Sequence, residues 1–311
     1  MKSPAPLNTL KKSMPEVLSS CQNLLFEEAS SIQLKVMDPS PWIDQEIHDG
    51  QSIGEDHLPF RSLKVWQELS EVLDCRMGVP KPEGGHLLLS LHPLPGELWR
   101  ARNSDDSDVY DPLGHYGHIH KMEDPHWLRD YFLCLKQCSL GPNSKILSLG
   151  VNRGDELFVL KNWYPSTYDK FSFTGFDLSQ KAIQSCHKAF PESKHRFEVR
   201  DISDDPPDEL PQQDLLISLS TLQCSNIEGK EVFRRWFQKS LSPSASVILG
   251  FPNCSWLGGE VVYGARMRNQ PHPDPSRLMK DLMYYRKYLQ THGKRVSITG
   301  KHHLFLVGSA I

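Results

Sequence analysis

The stretch Lys294-Arg-Val-Ser-Ile-Thr-Gly-Lys-His-His-Leu-Phe-Leu-Val-Gly308 decides the fold. It holds two strand-like runs, 294–299 (KRVSIT) and 303–308 (HLFLVG), joined tightly within Ser297-Ile-Thr-Gly-Lys-His-His303. So short a connection forces an antiparallel pair, because a parallel return needs a crossover of about a dozen residues or more. Just upstream, Leu278, Leu282, Tyr285 and Leu289 recur at helical spacing and predict a helix that leads into this hairpin.

From Lys145 onward, short apolar runs alternate with helical periodicity, the pattern of a parallel sheet with crossover helices. The predicted strands are 145–149, 171–176, 195–200, 214–219 and 246–251. Between them, Ala182, Ile183, Cys186, Ala189 and Phe190 form one face of a helix for which Ser179 is the expected N-cap. Val232, Phe233, Trp236 and Phe237 repeat the pattern. The expected class is α/β, with five parallel strands followed by a helix and the antiparallel hairpin. A smaller N-terminal α+β region precedes it.

This arrangement resembles the Rossmann-like seven-stranded sheet of class I S-adenosylmethionine-dependent methyltransferases, over roughly residues 110–311. A dinucleotide-binding domain lacks the closing hairpin, so topology separates the two families better than one motif does. The resemblance implies S-adenosyl-L-methionine as cofactor and methyl transfer as activity. The expected domains are 1–105, an accessory or substrate region, and 106–311, the methyltransferase domain with an insertion at about 252–275.

The first of these strands runs into Leu149-Gly-Val-Asn-Arg-Gly-Asp-Glu156, where glycines permit a sharp turn and close approach of a ligand to backbone. The family pattern is an acid followed by three alternating glycines; here Ser148 stands in the acid's place and Asn152 in that of the middle glycine. Asn tolerates left-handed backbone angles, so the turn can survive. Gly150, Asn152 and Gly154 are therefore cofactor candidates. Asp155 could compensate for the missing acid, or simply place negative charge at a helix N-terminus.

Asp177, 23 residues after Gly154, closes the second of these strands, where a carboxylate can accept from both ribose hydroxyls. An N-cap role is the alternative, though Ser179 is available for it. Leu178 follows on the cofactor side. By resemblance, Asp201 meets the adenine amino group while Ile202 packs on the ring, and Ser218 to Ser220 lie beneath the methionine moiety.

Methyl transfer displaces a leaving group at an already activated carbon, so orientation and occasional deprotonation are all the protein must supply. His115 and His118, with His120 nearby, are the candidates for base or substrate contact, with surface or structural histidines and a metal site as alternatives. Tyr110 and Tyr116 sit where relatives place tyrosines that close over the cofactor. Asn253, Tyr263 and Arg266, in the Gly-rich segment after the fifth parallel strand, are candidate acceptor contacts, as is Glu260; a bland lid is the other reading.

The 311 residues are 38% hydrophobic and 23% charged, an ordinary globular balance, and the net charge of −3 offers no global attraction for nucleic acid. The acceptor could be a small molecule, RNA or protein. Seven cysteines without a C-x-x-C pair predict reduced thiols, with Cys134 and Cys138 as core residues or, as the alternative, metal ligands. MKSPAPLNTLKKSMPEV has no apolar h-region and no run reaches membrane-spanning length, so a cytoplasmic protein off the membrane is expected. Two other functions remain open at this level: a binding or adaptor protein that has lost catalysis, suggested by Ser148 and Asn152, and an NAD-dependent oxidoreductase, since an acid closing the second strand serves both cofactors.

Overall fold

The computed structural model describes residues 5–27, 29–95, 119–224, 226–264 and 274–310, divided into two compact units. One comprises residues 1–102 and 255–263, the other residues 103–254 and 264–311.

The smaller unit is a mixed α/β assembly with a sheet of its own. Strand β1 (Leu7–Asn8), helix α1 (Met14–Phe26), strand β2 (Ile32–Met37), helix α2 (Leu63–Val72) and strands β3 (Cys75–Met77), β4 (Lys81–Glu83) and β5 (His86–Pro93) make a five-stranded sheet with two helices. The sheet runs β1-β2-β5-β3, with β4 also on β5. Ile32, Leu34 and Val36 alternate inward and meet Leu87, Leu89 and Leu91 with Trp66 and Leu69 of α2. The Pro-rich segment after Val79 carries an exposed edge strand before its turn. Pro82 is tolerated in β4 because an edge strand can spare its N–H, and Gly84 and Gly85, both at positive φ, close the two-residue hairpin to β5. The segment after the last parallel strand contributes a second hairpin, Cys254–Leu257 with Glu260–Tyr263, most of which belongs to this unit. There Arg76 donates to Glu260 at 2.6 Å and to the Gly258 carbonyl at 2.9 Å.

The larger unit carries helix α3 (Pro125–Leu135), strand β6 (Lys145–Leu149), helix α4 (Asp155–Trp163), strand β7 (Ser172–Asp177), helix α5 (Gln180–Ala189) and strand β8 (Arg196–Val199). Strand β9 (Gln213–Leu219), helix α6 (Gly229–Ser240), strand β10 (Leu241–Pro252), helix α7 (Ser276–Thr291) and strands β11 (Lys294–Gly300) and β12 (His303–Ala310) complete it. The sheet order is β8-β7-β6-β9-β10-β12-β11, with the first five strands parallel and β12 antiparallel to both neighbours. This is the Rossmann-like seven-stranded α/β sheet, five parallel strands closed by an antiparallel hairpin, that the sequence predicts. Strand β10 begins five residues earlier than expected, at Leu241, because polar Ser242 and Ser244 hide the start of the run from a hydrophobicity reading.

Both faces of this sheet are covered, which is why its strands are almost continuously apolar. On one face, Trp127 and Tyr131 of α3, Leu157 and Leu160 of α4 and Ile183 and Cys186 of α5 pack on Ile146, Phe173, Ile217 and Val307. On the other, Val232, Phe233 and Trp236 of α6 and Leu282, Tyr285 and Leu289 of α7 cover Leu147, Leu149, Leu216 and Leu249. Trp236 also donates its indole N–H to the Ile202 carbonyl at 2.8 Å, so its polar atom is satisfied within that core. Ser179 caps α5 by accepting from the Ala182 N–H. Cys134 and Cys138 are buried in the apolar core beside α3. No helix among the described residues is long and apolar enough to cross a membrane.

Candidate functional site

All five parallel strands end at one edge of the sheet, and the residues predicted for the cofactor converge there. After β6 the chain turns through Gly150 (φ +73°), Asn152 (φ +44°) and Gly154 (φ +76°) before α4 begins. Asn152 thus adopts the left-handed conformation expected of it. At Gly150 the requirement is also steric: a Cβ would stand 2.2 Å from the Thr221 hydroxyl oxygen, which itself donates to the Leu149 carbonyl. Gly154 lies against the Phe190 ring, where a Cβ would stand only 2.7 Å from a ring carbon. The Cys186 thiol, from α5, donates to the Asn152 carbonyl at 3.0 Å and closes the loop from below.

Asp177 ends β7 against this loop. Its Oδ2 accepts from the Asn152 N–H and its Oδ1 from the Ser179 N–H, each at 2.9 Å. The carboxylate is therefore fixed by main chain. The helix N-cap is Ser179. Next to it, Leu178 is 57% exposed, an apolar side chain presented to solvent beside a fixed carboxylate. Asp201 is exposed, and its Oδ1 accepts from the Ser203 N–H at 2.8 Å.

Two expected contacts turn inward. Ile202 is buried in the core under α6 and Trp236, so the apolar surface at this edge comes from Leu178. Ser218 is buried within β9, with its hydroxyl donating to the Leu149 carbonyl at 3.3 Å. The strand end just beyond it, Ser220, has φ +60° and a buried hydroxyl with no partner among the described residues.

The acid missing at Ser148 is supplied from elsewhere. Asp155 is drawn to Arg153 at 3.2 Å, while Glu156, one residue later, turns inward under the loop and accepts from the Ser148 hydroxyl at 2.6 Å. Asp155 therefore leaves the missing acid's place to Glu156, because the first turn of α4 points the two side chains in different directions. Burial pushes the Glu156 carboxyl up to about 7, against the Ser148 hydrogen bond and the nearby Lys121 ammonium, which favour the charged form. No signal in the sequence marks Glu156 apart from its being an acid in an apolar helix face.

At the end of β10 the Asn253 N–H donates to the His302 carbonyl at 2.7 Å and its Nδ2 to the Lys301 carbonyl at 3.1 Å. Tyr263 is 55% exposed and belongs to the smaller unit, as does Glu260. His115, His118, Tyr110, Tyr116 and Arg266 lie outside the described residues. No group of three or more metal-binding side chains stands together among the described residues.

No protein-family model matches the chain, and no curated protein matches it in sequence. Among solved structures, the chain is similar to one from the complex between the Haloferax volcanii Trm112 methyltransferase activator and a methyltransferase, at 14% identity over 61% of this chain and 91% of that one, with a TM-score of 0.42. It is similar to an S-adenosylmethionine-dependent methyltransferase from Aquifex aeolicus, at 14% identity over 61% and 96% of the two chains and a TM-score of 0.42. A third likeness is to the plantazolicin methyltransferase BpumL with bound S-adenosylhomocysteine, at 12% identity over 60% and 84% and a TM-score of 0.42. The architecture is assigned from the strand order and closing hairpin of this chain itself.

Proposed function

We propose that the 106–311 region binds S-adenosyl-L-methionine and transfers its methyl group to a small-molecule, RNA or protein acceptor, with residues 1–105 as an accessory or substrate region. The observation that carries this reading is Asp177, fixed by two backbone N–H groups against a glycine loop at the carboxyl edge of a sheet with an antiparallel closing hairpin. The residues present fit the cofactor. Asp177 presents a fixed carboxylate for ribose hydroxyls, Leu178 an exposed apolar face for adenine, and Asp201 an acceptor for its amino group. The Gly150–Gly154 loop permits close backbone approach, with Ile202 and Ser218 supporting the site from the core. When bound, the cofactor supplies a sulfonium-activated methyl carbon open to in-line displacement. The chain's own task is orientation of the two reactants. His115 and His118 are the proposed proton acceptors where the acceptor atom must lose a proton, and Tyr110, Tyr116, Asn253, Tyr263 and Arg266 the proposed acceptor contacts, Asn253 through its backbone environment. All seven cysteines are free, which agrees with a cytoplasmic setting.

Parallel thermal-shift and calorimetric titrations with S-adenosylhomocysteine and NADH test the reading. Stabilisation by S-adenosylhomocysteine is the expected result. Stabilisation by NADH alone would replace it with the oxidoreductase reading, and cofactor binding without methyl incorporation into any fractionated cell extract would leave the adaptor reading in its place.

A further inference from the structure

Helices α6 and α7 lie side by side on one face of the larger sheet, and the seam between them differs in charge from the chain as a whole. The two helices carry eight lysine and arginine residues against two acids, Glu231 and Asp281, in a protein whose net charge is −3. Both acids are already met by cations of the same helices, Asp281 by Lys230 at 3.0 Å and Glu231 by Arg235 at 3.5 Å. Arg234, Lys280 and Lys287 are exposed and form no ion pair among the described residues. Lys280 and Lys287 are seven residues apart, so they stand two turns apart on one line of α7.

A ladder of rings runs along the seam. Tyr284, Tyr288 and His292 follow one another at four-residue steps on α7, with ring centroids 6.3 and 4.2 Å apart and planes inclined by only 20° and 30°. A line of α6 at the same step meets them. The Lys230 ammonium lies 5.0 Å over the Tyr284 ring, and Gln238 donates from Nε2 to the Tyr288 hydroxyl at 3.1 Å, which sets Arg234, midway between them on that line, beside the ladder. Phe237 packs edge-on against both Tyr288 and His292. The last ring of the ladder is exposed, and the Tyr288 carbonyl accepts from its Nδ1 at 2.8 Å, which fixes the imidazole in place.

Cations set beside a fixed stack of rings suit a ligand with repeated negative charges and flat apolar faces. A single nucleic-acid strand has both: its phosphates meet the cations, and an unpaired base extends the stack at His292. A duplex keeps its base faces hidden, and an anionic lipid surface asks for apolar side chains that project beyond the cations, whereas Tyr288 and His292 are held within the seam by hydrogen bonds. We propose that the α6–α7 seam binds single-stranded RNA. The inference rests on the methyltransferase reading only in taking that RNA as the methyl acceptor. Helix α6 begins shortly after the end of β9, at the edge that carries the glycine loop, so a strand lying along the seam has one end at that edge.

Three probes on the full-length chain test this: a labelled RNA strand of about 20 nucleotides and the same strand in a duplex, both followed by fluorescence anisotropy, and phosphatidylserine–phosphatidylcholine vesicles followed by co-sedimentation. The single strand is expected to bind more tightly than the duplex and to weaken as salt rises from about 50 to about 200 mM. Replacing Arg234→Gln, Lys280→Gln and Lys287→Gln together should weaken it about tenfold or more at the lower salt and reduce the slope of log affinity against log salt by about 2. Lys136→Gln, Lys161→Gln and Lys188→Gln together make the same charge change among exposed cations on the α3, α4 and α5 side of the sheet, and should alter binding less than about twofold. His292→Ala should cost about fivefold with the slope unchanged. Melting curves identify any variant that has failed to fold, and single substitutions, each lowering the slope by about 0.7, then carry the same test. No binding of the single strand, equal binding of the duplex, or equal loss in both triple variants overturns the seam site. Vesicle binding in place of RNA binding also overturns it and gives the face to a lipid surface. S-adenosylhomocysteine affinity, measured on the same proteins, should match wild type throughout. RNA binding without S-adenosylhomocysteine binding keeps the seam and sinks the methyltransferase reading, while the converse leaves that reading intact and overturns the seam.

Discussion

Asp177 and Glu156 flank one glycine loop and are held in opposite ways. Asp177 is clasped by two main-chain N–H groups at the loop and at the start of α5, donors that neither ionise nor change rotamer. Glu156 is buried under the same loop, with the Ser148 hydroxyl at 2.6 Å as its side-chain partner, and its carboxyl is pushed up to about 7. The first is a carboxylate positioned by the fold. The second is a carboxyl whose charge depends on its surroundings, so a ligand, a neighbouring cation or a change of pH can alter it.

The largest effect expected from this contrast is at Asp177. Asp177→Ala leaves the Asn152 and Ser179 N–H groups without their acceptor, and S-adenosylhomocysteine affinity should fall by about 100-fold or more, with about 1–3 kcal/mol of stability lost. Calorimetry and denaturant midpoints measure the two separately. Retained affinity in this variant would break the assignment of Asp177 to the ribose.

Glu156 should instead reveal itself through pH. A carboxyl at about 7 in the folded chain and at its ordinary 4.5 in the unfolded one binds more protons when folded. Folding stability therefore falls as pH rises from about 4.5 to about 7, and the cost is complete above that. Glu156→Gln removes this segment of the profile while keeping an acceptor for Ser148. The variant should gain on wild type across the window, by at most about 3 kcal/mol. Parallel denaturation curves from about pH 4 to 8 check this, and a constant difference would remove the distinction between the two acids.

The loop between the acids should respond through sterics alone. Gly150→Ala places a Cβ 2.2 Å from the Thr221 hydroxyl oxygen at a φ of +73°. A loss of about 1–3 kcal/mol is expected in thermal or chemical denaturation. The smallest effect belongs to Leu178→Ala. Its side chain is 57% exposed, so stability should stay within about 0.5 kcal/mol while nucleoside affinity drops about fivefold. Unchanged affinity would place the adenine away from Leu178.

The two acids were unequally legible in the sequence. Asp177 could be found because the end of a parallel strand fixes a side chain's position relative to the loop of its neighbour, and strand spacing is readable. Glu156 could not, since Asp155 and Glu156 are adjacent acids in one helical turn. Which of them turns inward depends on where α4 lies against β6 and on the Arg153 side chain that draws Asp155 away. Ile202 shows the same limit: its position after β8 was evident, but its burial against Trp236 follows from how α6 closes over the sheet. In the smaller unit, Ile32–Met37 alternates visibly, yet nothing local names its partner, and Ile32↔Leu91 and Met37↔His86 join segments that lie far apart in the chain.

By itself the sequence determined the larger sheet, since the period of its apolar runs, its helical faces and a hairpin too short to be parallel are local properties that permit one strand direction each. It also determined the site of Asp177. Only the tertiary structure decided which acid stands beside Ser148. Asp155 and Glu156 are adjacent acids, and the packing of α4 against β6 turns the second of them onto the Ser148 hydroxyl at 2.6 Å.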